Sequence, residues 1–192
     1  MTSALARSVA YATVVAMLLA TVAAGPVSAA TDVTRVPAAE KYALRLLNCT
    51  RTGGFVNADG ACLARGSGKY STYRKPVRLH RSISSRVSWP WARTMVRKNA
   101  CEHVIPGKPS LATRMRRTGF RDWYYGENIG CGWGTGDAMA VVLATHRAMQ
   151  AEKSSNGGHW KNIKNPAFKS VGIGVASGGG RVMVVWDFNG KR

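Results

Sequence analysis

The spacing of apolar residues takes three characters along the chain. Residues 9–24 form one apolar stretch, preceded by Arg7 with no acid and followed by Gly25-Pro26 and the small residues Val27-Ser28-Ala29-Ala30. A basic start, an apolar core and an A-x-A-like end are the three parts of a secretory signal peptide, and the stretch is shorter than a comfortable bilayer span. The expectation is a signal peptide over residues 1–30, cleaved after Ala29 or Ala30. That leaves a short linker at 31–37, one domain over 38–190, and a secreted product that is not transmembrane.

Beyond the leader the period becomes helical. Pro37 suits the first turn of a helix, and Tyr42, Ala43, Leu46 and Leu47 fall on one side of residues 38–47. Residues 52–60, T-G-G-F-V-N-A-D-G, read as a turn or short loop, and the basic, Gly- and Ser-rich residues 64–75 as an exposed connection. From 82 to 99, Ile83, Val87, Trp91, Met95 and Val96 recur at helical spacing with Ser82 as N-cap. Pro90 interrupts them, so the helix kinks or a second one starts there. His80, just upstream, is a packing or capping residue. Pro109-Ser110 opens a short helix to Thr118 that Gly119 ends. Residues 137–153 give a further helix with Met139, Val142, Leu143, His146 and Met149 on its apolar face.

The last change is to strand-rich runs. Val171-Gly-Ile-Gly-Val175 and Val182-Met-Val-Val-Trp186, joined by Ala176-Ser-Gly-Gly-Gly180, predict a hairpin ending near Phe188. Helices first and a hairpin last argue for an α+β domain with helices packed on an antiparallel sheet.

Composition adds charge and redox context. The 192 residues carry 28 Lys+Arg against 9 Asp+Glu, a net +19. Only Arg7 of these lies in the leader, so 27 basic and 9 acidic residues remain, a net +18. Such a field attracts cell-wall polymers, acidic lipids or nucleic acid. The basic residues are spread along the chain, so charge singles out no specific nucleic acid. The even count of cysteines, Cys49, Cys62, Cys101 and Cys131, reads as two disulfides in an exported chain, and none forms a C-x-x-C. Three pairings are possible; Cys49–Cys62 with Cys101–Cys131 is preferred, because the first closes a short loop rich in Gly and Asn.

Three segments carry more than fold information. Gly126-Glu127-Asn128-Ile129 follows Trp123, Tyr124 and Tyr125. Gly158-His159-Trp160-Lys161-Asn162-Ile163 precedes Asn165-Pro166-Ala167-Phe168 and the Gly172-Ile173-Gly174-Val175 run. Upstream, residues 95–102 lead into His103. In this order the set resembles the CAP superfamily (SCP domain) of cysteine-rich secretory, antigen 5 and pathogenesis-related proteins, in its compact bacterial form. Asn48 and Arg51 look like the end of that family's opening helix. The resemblance covers about residues 38–188 and implies an α-β-α sandwich with helices on both sides of a small antiparallel sheet.

The resemblance also implies a cleft of two histidines with acidic partners: His103, Glu127 and His159. A further acid has no clean match; Glu152, His146 and Gln150 all lie on the helix that would supply it. Two imidazoles and a carboxylate suit a divalent cation such as Zn²⁺, or a proton network that orients a ligand or water. A Cys101–Cys131 bond would bring His103 and Glu127 together, since one lies two residues after Cys101 and the other four before Cys131. Trp123, Tyr124, Tyr125, Trp133 and Trp160 either line a hydrophobic groove beside that site or cover the core.

Three function classes follow. The first is a secreted protein whose cleft holds a metal or a small hydrophobic or lipid ligand, with a basic surface for anionic cell-surface or host partners. The resemblance attaches no single established catalytic activity to it. The second is a metal- or His/Glu-dependent hydrolase, protease-like or wall-active, for which no G-x-S-x-G or unpaired cysteine offers a nucleophile. The third is a cationic antimicrobial or nucleic-acid-binding protein acting by charge.

Overall fold

The structure is a computed structural model that describes residues 32–64, 72–120 and 123–191. The expected leader at 1–30, and residues 65–71 of the basic connection, lie outside the described residues. Its centre is the C-terminal hairpin: β6 (Ser170–Gly178) and β7 (Arg181–Lys191) turn through Gly179 and Gly180 at φ 56° and 67°. Two consecutive positive φ values are what a two-residue hairpin turn needs, and glycine takes them without strain. Both strands run further than the apolar core of each predicts. Along the other edge of β7 lies β5 (Trp123–Trp133), paired over its full length.

Two short pieces, β1 (Thr34–Arg35) and β4 (Arg78–Leu79), pair with successive parts of the free edge of β6. The sheet order is β1-β6-β7-β5; β4 pairs with β6 in parallel, and the other pairings are antiparallel. A separate two-residue ladder joins β2 (Phe55–Val56) to β3 (Cys62–Leu63), in the stretch where composition suggests a loop.

Side-chain alternation divides β7 between two layers. Val182, Val184, Trp186 and Phe188 belong to the apolar cluster shared with α1 (Pro37–Arg51), α5 (Ala138–Ala151) and α6 (Gly158–Lys164). Met183 and Val185 face the cluster built by α3 (Trp89–Lys98). Helices therefore cover both faces of the sheet, with α4 (Leu111–Arg117) on the α3 side through Met115. A sheet buried on both sides explains why β6 and β7 read as near-continuous apolar runs. On β6 the alternate positions are Gly172 and Gly174. A Cβ on Gly174 would lie 2.3 Å from the backbone nitrogen of Trp89, so only glycine lets α3 pack this close. Among the described residues, no helix is long and apolar enough to cross a membrane.

Several local expectations need correction. His80, not Ser82, caps the long helical run: its Nδ1 accepts from the Ile83 N–H at 3.4 Å, and its ring packs edge-on against Phe120. From there α2 (Arg81–Ile83) continues through a π turn (Ser84–Ser88) into α3. Pro90 neither ends the run nor starts a separate helix. The wider turn just before it accommodates a residue that has no N–H to donate and whose ring crowds the preceding turn. On α5, Met139 is exposed and Val141 takes its place in the core.

A buried polar network between α1 and α5 centres on His146. Its Nε2 lies 2.8 Å from Thr50 Oγ1, and the Thr50 hydroxyl donates to Gln150 Oε1 at 3.0 Å. Thr50 must then accept from the imidazole, which fixes the Nε2–H tautomer. Gln150 in turn clamps the Val56 backbone with bonds of 2.9 and 3.0 Å. Complete burial lowers the His146 pKa to about 3, so the ring is neutral in the fold. The unfolded chain binds a proton below about pH 6.5 that the native chain refuses, so this stability is present above 6.5 and is lost towards 3. Between pH 6.5 and 5, denaturant unfolding should show the parent protein losing about 1.5 kcal/mol more than His146→Gln. Parallel losses in the two proteins would contradict a neutral buried imidazole.

Candidate functional site

At the outer edge of β5 the two helical layers meet, and a cleft of about 740 Å³ opens there. His103, Glu127, Glu152 and His159 all line it, with Ser155, Lys161 and Asn162. The four side chains form two carboxylate–imidazole pairs, and each is built differently.

The first pair spans distant chain. Glu127 sits mid-strand on β5, and His103 lies in the irregular segment after α3. The Cys101–Cys131 disulfide ties that segment to β5 over a separation of 30 residues. Closing such a loop stabilises the fold by roughly 3–4 kcal/mol in the loop-entropy picture. His103 Nδ1 is 2.8 Å from Glu127 Oε1, and the other carboxylate oxygen receives Arg114 Nη2 from α4. The Arg114 guanidinium is buried and lies 3.8 Å above the Trp91 ring. The hydrogen bond to Glu127 raises the His103 pKa above the ordinary imidazole value, outweighing the opposing effect of burial.

Across the ladder from Glu127 stands Asp187 of β7, wholly buried beside Ser88 and Glu127. Burial, reinforced by the charge on Glu127 and opposed by Arg114, raises its pKa well above the carboxylate range. The charged form of Asp187 is therefore disfavoured, and it is Glu127 that takes the ion pair with Arg114.

The second pair is local. Glu152 caps the C-terminal end of α5, and a tight turn returns the chain to the start of α6. Glu152 Oε1 lies 2.5 Å from His159 Nδ1, while Oε2 accepts the backbone N–H groups of His159 at 3.0 Å and Trp160 at 3.4 Å. The carboxylate thus satisfies the first-turn donors of α6, which its N-cap residue, Gly157, has no side chain to reach. A Cβ on Gly157 would come within 2.4 Å of Glu152 Oε2. Burial alone would raise Glu152, but the bonds from His159 and the two N–H groups hold it below its usual value.

Asn128 and Asn162 lock the halves together. Asn162 Nδ2 donates to the Glu127 carbonyl at 3.2 Å and to Asn128 Oδ1 at 2.8 Å, and Asn128 Nδ2 donates to the His159 carbonyl at 3.2 Å. Gly126 leaves room for this approach, since a Cβ there would lie 2.7 Å from Asn162 Oδ1. The glycines and asparagines of the two motifs are the joint between β5 and α6.

Of the residues singled out from sequence, the structure brings His103, Glu127, Glu152 and His159 to one cleft and leaves His146 out. His146 faces α1 in the core, one turn and a half before Glu152 on the same helix. The aromatic residues do not line this cleft. Trp133 and Tyr124 are exposed, Trp160 is buried beneath the Lys164 ammonium, and Tyr125 donates its hydroxyl to the Phe120 carbonyl. The Trp123 side chain lies outside what the structure describes. Arg114 and Asp187 escape sequence reasoning. Arg114 is one arginine among three on a short helix; Asp187 did leave a signal, as the lone acid within V-V-W-D-F.

Residues 85–188 match the cysteine-rich secretory protein family, CAP. Among solved structures, an extracellular protein containing a SCP domain from Bacillus anthracis str. Ames superposes with a TM-score of 0.50 at 19% identity. The match covers 62% of this chain and 35% of that one, so this chain spans about a third of that protein's length. At this identity the likeness is one of fold. No curated protein matches the chain.

If Glu127 is what raises His103, then Glu127→Gln should bring the His103 midpoint down towards the ordinary 6.5, read by NMR pH titration of the imidazole. An unchanged midpoint would mean that another group holds the ring.

Proposed function

The chain belongs to the CAP family of cysteine-rich secretory proteins, and on that premise we propose that it is an exported binding module whose His103/His159 cleft takes a divalent cation such as Zn²⁺. The observation that carries this is the matched use of Nδ1: each imidazole gives that nitrogen to its own carboxylate, at 2.8 and 2.5 Å. Neither Nε2 has a hydrogen-bond partner among the described residues. A carboxylate on one ring nitrogen fixes the tautomer and raises the basicity of the other, the arrangement that supports metal-binding histidines.

The donor set limits what such an ion would do. Among the described residues, no group of three or more His, Cys, Asp or Glu stands together to hold a metal. Glu127 is already engaged by His103 and Arg114, and Glu152 by His159 and the α6 backbone. Two imidazoles remain as ligands, and water or a partner's oxygen would complete the shell, which fits an exchangeable ion better than a closed structural site. When bound, the ion would supply Lewis-acid attraction for an anionic or carbonyl oxygen. Glu127 and Glu152 supply the negative charge that makes a cation tolerable in so basic a protein.

The lining side chains are all polar or charged, Lys161 among them, which supports an ionic ligand between the histidines and carboxylates over a purely apolar one. The basic exterior, +18 once the leader is removed, would steer the module to anionic cell-surface polymers or lipids. A hydrolytic role finds less support: the Ser155 hydroxyl donates to the Glu152 carbonyl at 3.2 Å, and both cysteine pairs are bonded.

At ten times its dissociation constant, Zn²⁺ should stabilise the protein by about 1.4 kcal/mol, a rise of a few degrees in Tm. His159→Ala should abolish the rise. Imidazole must be neutral to bind, and His103 holds its proton to higher pH than usual, so the response should fade as pH drops through the His103 midpoint. A Tm indifferent to Zn²⁺ at pH 8 would refute the reading.

A further inference from the structure

A second cavity, of about 540 Å³, shares no residue with the His/Glu cleft. It lies where the chain of residues 73–78 runs beside residues 163–169, and Arg51, Arg74, Lys75, Arg78 and Lys169 line it. Lys164 lies behind this lining, with Nζ donating to the Thr50 and Arg51 carbonyls at 3.0 and 2.9 Å.

Every one of these cations lacks a carboxylate partner among the described residues; the ion pairs of the fold run to Glu40, Glu127 and Glu152 instead. Arg51 is 1% exposed, and its guanidinium is held by carbonyls alone: Nε to Lys75 at 3.1 Å, Nη1 to Ile163 at 2.6 Å and Asn165 at 3.2 Å, Nη2 to Phe168 at 3.2 Å. Carbonyl dipoles satisfy the donors but leave the charge uncancelled. Burying a charge without a counter-charge is costly unless a counter-ion arrives from solution.

We propose that this cavity is a binding site for the phosphate group of an organic phosphate ester, with Arg74 and Arg78 as the principal ligands and Lys75 and Lys169 beside them. Guanidinium forks match phosphate oxygens two at a time, and lysines add point charges. Pro166 and the edge of Phe168, which also line the cavity, offer an apolar wall for the organic part, and the volume exceeds what a bare anion fills. Arg51 serves as a fixed positive floor and a scaffold. The electrostatics agree: burial, followed by the Arg51 and Arg74 charges, lowers Lys164 to about 8, and burial followed by Arg74 lowers Arg51 to about 10. Burial is the larger cause of each shift, and the smaller part due to neighbouring positive charge is what a bound dianion would relieve. The site is independent of the cation reading above.

The test uses the whole mature protein at fixed ionic strength, with inorganic phosphate and glycerol 3-phosphate as soluble probes. Vesicles of phosphatidylglycerol in phosphatidylcholine form the lipid arm. Saturable NMR shifts at the amides of Arg74, Arg78 and Lys169 are expected, together with an upward move of the Lys164 midpoint from about 8. Arg74→Gln with Arg78→Gln should weaken binding about tenfold or more. Arg78 is exposed and Arg74 gives up its Nε bond to the Lys164 carbonyl, so the exposed Arg78→Gln alone serves as the control for folding. His159→Ala should leave it intact. Glycerol 3-phosphate that displaces the protein from vesicles assigns the site to a lipid headgroup, whereas binding of the soluble ester alone assigns it to free phosphates. Shifts that chloride reproduces at equal ionic strength, or an unchanged affinity in the double variant, would overturn the proposal.

Discussion

The arrangement depends on how one buried carboxylate is partnered. Glu127 stands on β5 at the lining of the cleft, opposite another acid, Asp187. Two carboxylates cannot both ionise there without compensation. Arg114, itself buried and lying over Trp91, supplies one positive charge and gives it to Glu127. Burial, with the Glu127 charge beside it, disfavours the charged form of Asp187, and Glu127 is left with one oxygen for His103. Neutralise Glu127 and the loop carrying His103 loses its electrostatic anchor, leaving the Cys101–Cys131 bond to hold it.

The two halves of the cleft differ in what they require. The Glu152/His159 pair is seven residues apart in sequence and closes within one turn, where the same carboxylate caps α6. It needs only local structure. The His103/Glu127 pair needs the β5–β7 ladder, the α4 arginine and a disulfide, so it registers the state of the whole domain. A reducing environment would loosen one half and spare the other. Asn128 and Asn162 couple them, because their amides bind the main chain of Glu127 and His159 directly.

Much of the fold is legible in sequence because period and punctuation agree there. Pro37, Ser110 and Gly119 mark helix ends, and the valine-rich runs around Gly179-Gly180 mark the hairpin. The strand β5 was harder to see: Gly126, Gly130 and Gly132 dilute its apolar pattern, and their absent side chains serve contacts that no local rule anticipates. For the site, the motif order identifies His103, Glu127 and His159 as candidates but leaves Glu152, His146 and Gln150 equivalent. Geometry separates them. Glu152 reaches the α6 N–H groups only because Gly157 lets the turn close, while His146 and Gln150 point to α1. Helical spacing alone cannot say which of two flanking partners each residue will face. Arg114 was illegible for a related reason, since its role depends on the burial of a β-strand acid far from it in the chain.

The proposed cation site requires that both imidazoles present their Nε2 atoms to one ion. Crystals of the mature protein grown with Zn²⁺ at pH 8, with diffraction collected on both sides of the zinc absorption edge, test this most directly. An anomalous peak bonded to both His103 Nε2 and His159 Nε2, with Glu127 and Glu152 still on the Nδ1 atoms, is the predicted result. A map with no peak in the cleft, or with zinc bound only elsewhere on the surface, would contradict it.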